Sequence, residues 1–357
     1  MILSYKRLFF ILIQQQSIAI GAAISIAVYL FGAIAAQLCH IQCGEIDAFF
    51  SACLQNAGIA NVVNSTLNGA SNADGSWPSY TVNNTGKLTL TDANITSVHG
   101  GVASYGDGAV VTMNNTNLNM IGIPGFTSHG LYTYSNGQIV VNGGNIANNA
   151  ADQNSTGASV INGAVTVNAG TFNGRIENYY GTPVIKGGTF SVDPTRFVKG
   201  YEVTNNGNGT WTVDEYKVST GAELLDAIAN GKAVELTQDV TLGKINLTGA
   251  ITGDVVINAN GHKITTTDAY GIEVTAGKNI TISNADVEMT KAGDYITYAA
   301  GLKIANGDYA GATITLKDCT ITMANTDWAY AVTMPASVKN LNLVIDNCTL
   351  EGAVAVQ

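Results

Sequence analysis

Charge is what this sequence has least of. Only 12% of its 357 residues are Asp, Glu, Lys or Arg, about half the share usual in soluble domains. Three of them are arginines, Arg7, Arg175 and Arg196, and the net charge is -10. That balance excludes a nucleic-acid-binding protein, which needs clustered basic side chains to displace counterions from phosphates. Proline is also scarce, at five residues. A disordered chain would be rich in charge and proline, so the shortage of both points to a folded chain. The five cysteines, Cys39, Cys43, Cys53, Cys319 and Cys348, do not make a metal-ligand set. Cys39-His40-x-x-Cys43 has no second matching pair to complete a tetrahedral shell. They read as small buried hydrophobes, with Cys319 and Cys348 at one repeat position, where they are expected to stack or to bridge neighbouring coils. What is abundant is glycine, at 40 residues, together with Asn and Thr. The length suits two ordinary domains or one long repeat array.

The amino end points out of the cytoplasm. Lys6 and Arg7 precede a charge-free stretch from residue 8 to 44. Within it, residues 17–36 (SIAIGAAISIAVYLFGAIAA) are long enough for a helix that crosses a bilayer. A retained signal anchor and a signal peptide cut after Ala35, at Ala33-Ile34-Ala35, both fit. A buried helical hairpin, or sequence upstream of the true start, is the bland alternative. Next, Ile46, Phe49, Phe50, Cys53 and Leu54 have the spacing of an amphipathic helix over residues 45–57, with Gly58 as its cap. Residues 64–76 (NSTLNGASNADGS) have the composition of a linker.

A short pattern recurs downstream: apolar, any, apolar, polar, Asn/Asp/Gly, small, polar, apolar. It occurs as LTLTDANI from Leu88, VTMNNTNL from Val111, IVVNGGNI from Ile139 and VTVNAGTF from Val165, and more weakly as PVIKGGTF from Pro183. A second group comprises ITISNADV from Ile280, ITLKDCTI from Ile314 and LVIDNCTL from Leu343. The starts are 23, 28, 26 and 18 residues apart in the first group, and 34 and 29 in the second. Positions one and three of each copy fall on one face of a short strand. An Asn/Gly turn follows, the small sixth residue suits a crowded corner, and the eighth begins another inward-facing strand. One such unit cannot bury its apolar face alone, so coils must stack and share a core. Variable spacing favours an all-β, right-handed parallel β-helix over a leucine-rich or propeller repeat, because loops can grow at the corners. Asp107-Gly108, Asn136-Gly137 and Asn162-Gly163 supply turns.

Two arrays in tandem are expected. Residues 192–215 carry a Pro, a Gly-Tyr step and an Asn-Gly-Asn-Gly turn, which suits a hairpin ribbon closing an open edge. Thr220-x-x-Glu223 then makes a capping box, with Leu224, Leu225 and Ile228 on one face and Gly231 as the stop. The expected organisation is a signal or anchor segment (1–44), helix and linker (45–76), a first array with its ribbon (77–215) and a helix-capped second array (216–357).

Two segments carry a family resemblance. VVINANGHKI (255–264) resembles the first-rung segment of pectate-lyase-like parallel β-helix proteins. GGTFSVDPTRFVKGYEV with NGTWTV (187–213) resembles the terminal unit of surface-exposed repeat proteins of gut Firmicutes and their phages. The resemblance covers roughly residues 87–357 and implies fold and habitat. It leaves activity open among lyases, hydrolases, tailspikes and adhesins.

Hydrolytic chemistry has weak support in the residues. The fourth repeat position (Thr91, Asn114, Asn142, Asn168, Lys186, Ser283, Lys317, Asp346) holds no stacked acidic groups for calcium, and no R-x-K element accompanies His99 and His129. The least implausible acid/base set is Asp107, Asp152, Arg175 and Glu177 on corner loops, where solvation is the plainer role. His262 in the N-G-H turn reads as structural. The nine Asn-x-Ser/Thr sites reflect Asn at corners and Thr on strands, and the outward Thr/Val positions are too interrupted for an ice-binding face.

Aromatic residues on the variable loops are better placed. Tyr105 and Tyr134 each lie three residues before a glycine that opens the next strand, and Tyr132, Tyr179 and Tyr180 come from matching segments of neighbouring turns. Stacked about 4.8 Å apart, these rings would form a ladder for the apolar faces of sugars, with Asn136, Asn162 and Asn178 as hydrogen-bond partners. The plain alternative is that the rings cover the edge of the core. Tyr295, Tyr298, Trp328 and Tyr330 are a similar group in the second array. The expectation is thus an exported, non-catalytic surface adhesin that takes a glycan or cell-surface polysaccharide, is tethered through residues 17–36, needs no cofactor or metal and binds no nucleic acid. The alternatives are a polysaccharide lyase or glycoside hydrolase, using calcium in the lyase case, and a trimeric phage tailspike.

Overall fold

The computed structural model describes residues 39–41, 45–48, 52–69, 80–121, 127–149, 158–294, 298–325 and 327–356. More than half of them lie in short strands, most of which pair in parallel with strands one repeat away in a solenoid-like arrangement. The proposed membrane helix at 17–36 lies outside the described residues. No helix among the described residues is long and apolar enough to cross a membrane. The chain divides into two compact units. One runs up to Pro183 and includes Phe190–Val192; the other comprises Val184–Thr189 and the residues from Asp193 on.

In the first unit each repeat contributes three strands. The first of these, Ile59–Val63, Lys87–Thr91, Val110–Asn114 and the start of Gln138–Asn148, pair in register, so Ala60, Leu88, Val111 and Ile139 form one inward column. The second strands (Thr66–Gly69, Asn94–Ser97, Asn117–Met120) form a parallel column that puts Leu67, Ile95, Leu118 and Ile146 in line. The third strands, Leu54–Asn56, Tyr80–Asn84, Gly100–Tyr105, Ser128–Tyr134, Ala158–Asn162 and Ile176–Glu177, make a separate parallel sheet. Positions one, three and eight of the repeat are buried throughout: Leu88, Leu90, Val111, Met113, Ile139 and Val141 are at most 2% exposed. The fifth position supplies the turn, with φ of 51° at Asp92, 46° at Asn115 and 122° at Gly143. Asn, Asp and Gly are the residues that tolerate this conformation. The sixth is small because it is enclosed: Ala93 and Thr116 are fully buried.

The amphipathic helix expected over 45–57 is not formed at the described residues. Glu45–Ala48 and Leu54–Asn56 are strands, paired with Thr66–Gly69 and with Val82, Asn83 and Asn84. The helical spacing of apolar residues is overridden because the adjacent rung offers an in-register edge, and pairing with it satisfies backbone groups that a surface helix would leave unpacked against the stack. The linker expected at 64–76 likewise begins as structure. Asn64 takes a turn conformation (φ 48°) and Thr66–Gly69 joins the stack. Residues 60–67 (ANVVNSTL) are thus a further repeat copy, hidden in the sequence by its small first residue and by an apolar Val63 at the polar fourth position.

The second unit has three parallel sheets with one strand per repeat in each. Its repeat columns include Ile257, Ile282, Leu316 and Ile345 in the first sheet and Ile264, Val287, Ile321 and Leu350 in the second. Glu202–Asn205 and Trp211–Asp214 form the expected antiparallel hairpin. The helix Gly221–Ala229 carries its capping box, in which Glu223 N donates to Thr220 Oγ1 (3.1 Å) and Thr220 N donates to Glu223 Oε2 (3.1 Å). Leu224, Ala227 and Ile228 face the core, whereas Leu225 is exposed and does not belong to the buried face. Cys319 and Cys348 occupy equivalent positions in adjacent repeats but are free thiols and not a bridge. Cys319 Sγ instead donates to the Lys317 carbonyl (3.2 Å), and burial raises its pKa.

Candidate functional site

The third-strand sheet of the first unit carries a layered group of rings. Parallel register places Tyr134 beside Tyr105 and Tyr132 beside Ala103, so side chains from successive repeats share one outward face. The base of the group is a stack. The Tyr80 and Tyr132 rings lie 5.2 Å apart at 22°, and the Tyr132 and His129 rings lie 5.3 Å apart at 14°. Tyr80 packs over Gly100, where a Cβ would come within 2.6 Å of the ring. Glycine is needed there because the ring occupies the space of a side chain. Tyr180 then meets Tyr132 edge-on (5.5 Å, 71°) and Tyr134 edge-on (5.2 Å, 80°). Edge-to-face contacts of this kind hold rings at fixed angles. Above this base Tyr134 is 49% exposed, Tyr180 48% and Tyr179 78%.

Polar partners surround the rings. The Tyr105 hydroxyl donates to Asn83 Oδ1, and burial pushes the Tyr105 pKa up to about 12. Burial, reinforced by the neighbouring Tyr180, also pushes Tyr132 up to about 12, so these phenols stay neutral donors. Asn136 Nδ2 donates to Asp107 Oδ1 (2.7 Å), and Tyr179 N donates to Asn162 Oδ1 (3.2 Å). Asn162 is buried, serving to fix the Tyr179 turn. Asn178 follows Glu177 at the same sheet edge.

Tyr132, Tyr134 and Tyr180 are therefore in direct contact, while Tyr105 joins through strand register and Tyr179 extends the exposed rim. The underlayer of Tyr80, His129 and Asn83 was missed by sequence reasoning. Its signal was present, since Tyr80 and His129 align through Gly100 in the same column, but it becomes visible only once the register is known. The acid/base set is split. Asp107 is held by Asn136, Arg175 pairs with Glu177 two residues away, and Asp152 lies outside the described residues. In the second unit, Asp214, Glu215 and Glu235 place carboxylate oxygens within 4.8 Å of one another. Lys217 Nζ already provides the cation there, 3.0 Å from Asp214 and 2.7 Å from Glu235. An open polar groove lined by Asn260, Asn284, Asp286, Asp318 and Thr320 offers no ring on which a sugar could stack.

His129 gives this site a pH signature. Burial lowers its pKa from 6.5 to about 4, and its Nδ1 lies 2.8 Å from Ser159 Oγ. A base with a lowered folded-state pKa contributes stability that is complete above the unfolded value and is lost as pH falls through 6.5 towards 4. Allowing for its partial exposure, the loss is on the order of 2 kcal/mol. Melting temperatures measured from pH 7 to pH 4 should fall in the native chain and fall less in His129→Gln. Equal slopes in the two would show that the ring does not titrate as its burial requires.

No family model, no curated protein and no solved structure matches the chain.

Proposed function

We propose that this chain is a non-catalytic, exported surface protein whose stacked repeats form a right-handed parallel β-helix and display a glycan-binding face. The observation that carries this reading is the ring group of the first unit. Tyr180 braces both Tyr132 and Tyr134 edge-on, and the three are underlaid by a Tyr80–Tyr132–His129 stack and still leave aromatic surface open to solvent. Rings that only cover a core edge turn their apolar faces inward. Here the inner stack covers the edge and the outer rings stay bare. Rigid aromatic side chains lose little conformational entropy on binding, which suits shallow recognition of a sugar's apolar face. Their hydroxyl groups and the nearby amides match sugar hydroxyls as donors and acceptors. The low charge of the surface and the apolar amino-terminal segment support export and tethering at a membrane.

An enzyme reading has less behind it. Arg175 is engaged by Glu177, and Asp107 by Asn136, so each of these carboxylates already has a partner within the protein. The deciding experiment is a glycan array read for both retention and product release. The expected result is retention of intact glycan that drops about tenfold or more in Tyr134→Ala, as for the loss of a central aromatic anchor. Shortened or unsaturated products would overturn the reading and direct attention to Asp107, Asp152, Arg175 and Glu177.

A further inference from the structure

The second unit holds a separate aromatic strip. Tyr270, Ala300 and Tyr330 lie in one register column across three successive repeats. The Tyr298 ring reaches both tyrosines, at 5.7 Å from Tyr270 and 5.5 Å and 90° from Tyr330. Ala300, between them in the column, is fully buried. Trp328, in the turn that leads into the strand of Tyr330, is 52% exposed. Its backbone is in the left-handed region at φ 55°, a conformation that bulky residues avoid. The surroundings impose it: the Trp328 carbonyl accepts from Ala299 N (2.9 Å), and a Cβ on Gly293 would come within 2.1 Å of the same oxygen. A strained backbone beneath a half-exposed indole is costly, and such strain is retained where the side chain has work to do.

The charges beside the strip define its ligand. Glu273 takes Lys244 on one oxygen (2.5 Å) and Lys303 on the other (3.0 Å), and Lys303 Nζ sits 3.7 Å from the centre of the Tyr270 ring. Both lysines are thus engaged within the protein. The flanking segments add the exposed aspartates Asp268, Asp294 and Asp327 and one exposed lysine, Lys291, a net negative balance that disfavours a polyanion. We propose that Tyr270, Tyr298, Tyr330 and Trp328 form a second carbohydrate-stacking site, for an uncharged hexose polymer. The choice of a glycan as ligand rests on the reading of the first unit, whereas the residues, the strain and the charge selection are independent of it.

The test uses the full chain, titrated with cellohexaose, maltohexaose, laminarihexaose and mannohexaose as uncharged probes and with hexagalacturonate as the polyanion. Binding is followed by calorimetry and by tryptophan emission. Trp328→Asn is the main variant because asparagine accepts a left-handed backbone; Tyr330→Ala is the second, and thermal melts report folding. At least one uncharged hexaose should change the emission of the native chain, and each variant should weaken that binding about tenfold. Tyr134→Ala should leave the emission change in place. Overturning results are an emission change with none of the uncharged probes, unaltered affinity in both variants, or preference for hexagalacturonate. Sensitivity to Tyr134→Ala alone would overturn this site and keep the first. Binding heat lost in Trp328→Asn and Tyr330→Ala but undiminished in Tyr134→Ala would keep this site and overturn the first, whereas the emission change by itself reports on this site.

Discussion

Asn84→Ala should unfold the first unit at markedly lower denaturant or temperature than the native chain, with a cost of about 3 kcal/mol or more. Asn84 is fully buried on an inward column of side chains that runs Asn56, Asn84, Ser104, Thr133 through four successive strands. Its Oδ1 accepts from Asn56 Nδ2 (2.7 Å) and Gly86 N (3.2 Å), and its Nδ2 donates to the carbonyls of Gly86 (2.8 Å) and Val110 (3.2 Å). These are the turn groups that close one repeat and open the next. Removing the amide strands several of them in a buried site, and the penalty is the desolvation cost of each. Leucine in place of asparagine should be no better, since the carbonyls would remain unsatisfied. The control is Asn168→Ala. Asn168 ends an exposed ladder in which Asn168 Nδ2 donates to Asn142 (2.7 Å) and Asn142 Nδ2 to Asn114 (2.8 Å). Water can replace those contacts, so the change should cost about 0.5 kcal/mol or less. Equal effects from the two substitutions would refute the distinction between inner and outer ladders.

Gly144→Ala should be comparably damaging for a different reason. Gly144 fills the small sixth position of its repeat, with φ at 105°. A Cβ there would stand 2.0 Å from the backbone oxygen of Thr116 in the preceding repeat. That atom belongs to the main chain of the corner between the paired strands Val110–Asn114 and Asn117–Met120, so it cannot swing away as a side-chain end would. The expected cost is about 3 kcal/mol or more, read as a fall in melting temperature. Gly207→Ala is the comparison. It also has positive φ, 73°, but nothing lies within 4 Å of its would-be Cβ. It should show backbone strain alone, of about 1 kcal/mol.

The legible part of the fold was the part written in local chemistry. Alternation at Leu88 and Leu90, a turn residue at Asp92 and a small residue at Ala93 together define a strand, a corner and a second strand, and the structure places all four as the pattern requires. Residues 60–67 escaped notice because Ala60 is barely apolar and Val63 breaks the polar fourth position. Its membership is set by pairing with Lys87–Thr91 and not by its own composition. The segment from Glu45 was misread because 3.6-residue spacing and alternation both accommodate Ile46 and Leu54, and only the neighbouring strands choose between them. Leu225 shows the limit at a helix, where one apolar residue beside the buried stripe of Leu224 and Ile228 faces solvent. The tyrosines were legible as a group from matching segments of successive repeats, although Tyr105, Tyr132 and Tyr134 lie on strands and not on the loops expected for them. Their supports, Tyr80 and His129, were not, because the space that lets them stack is an absent side chain at Gly100 in another repeat.

Because each repeat pairs in register only with the repeats beside it, chain length and chain architecture are decoupled. Duplicating or excising one whole repeat, such as the 28 residues from Val111 to the residue before Ile139, would renumber everything downstream yet leave every other interface with its original partner type. Such a chain can lengthen or shorten by unequal recombination in whole-repeat steps without inventing a new core at each step. The variable spacing of its copies then reads as the record of corner loops that drifted while the strands between them stayed matched.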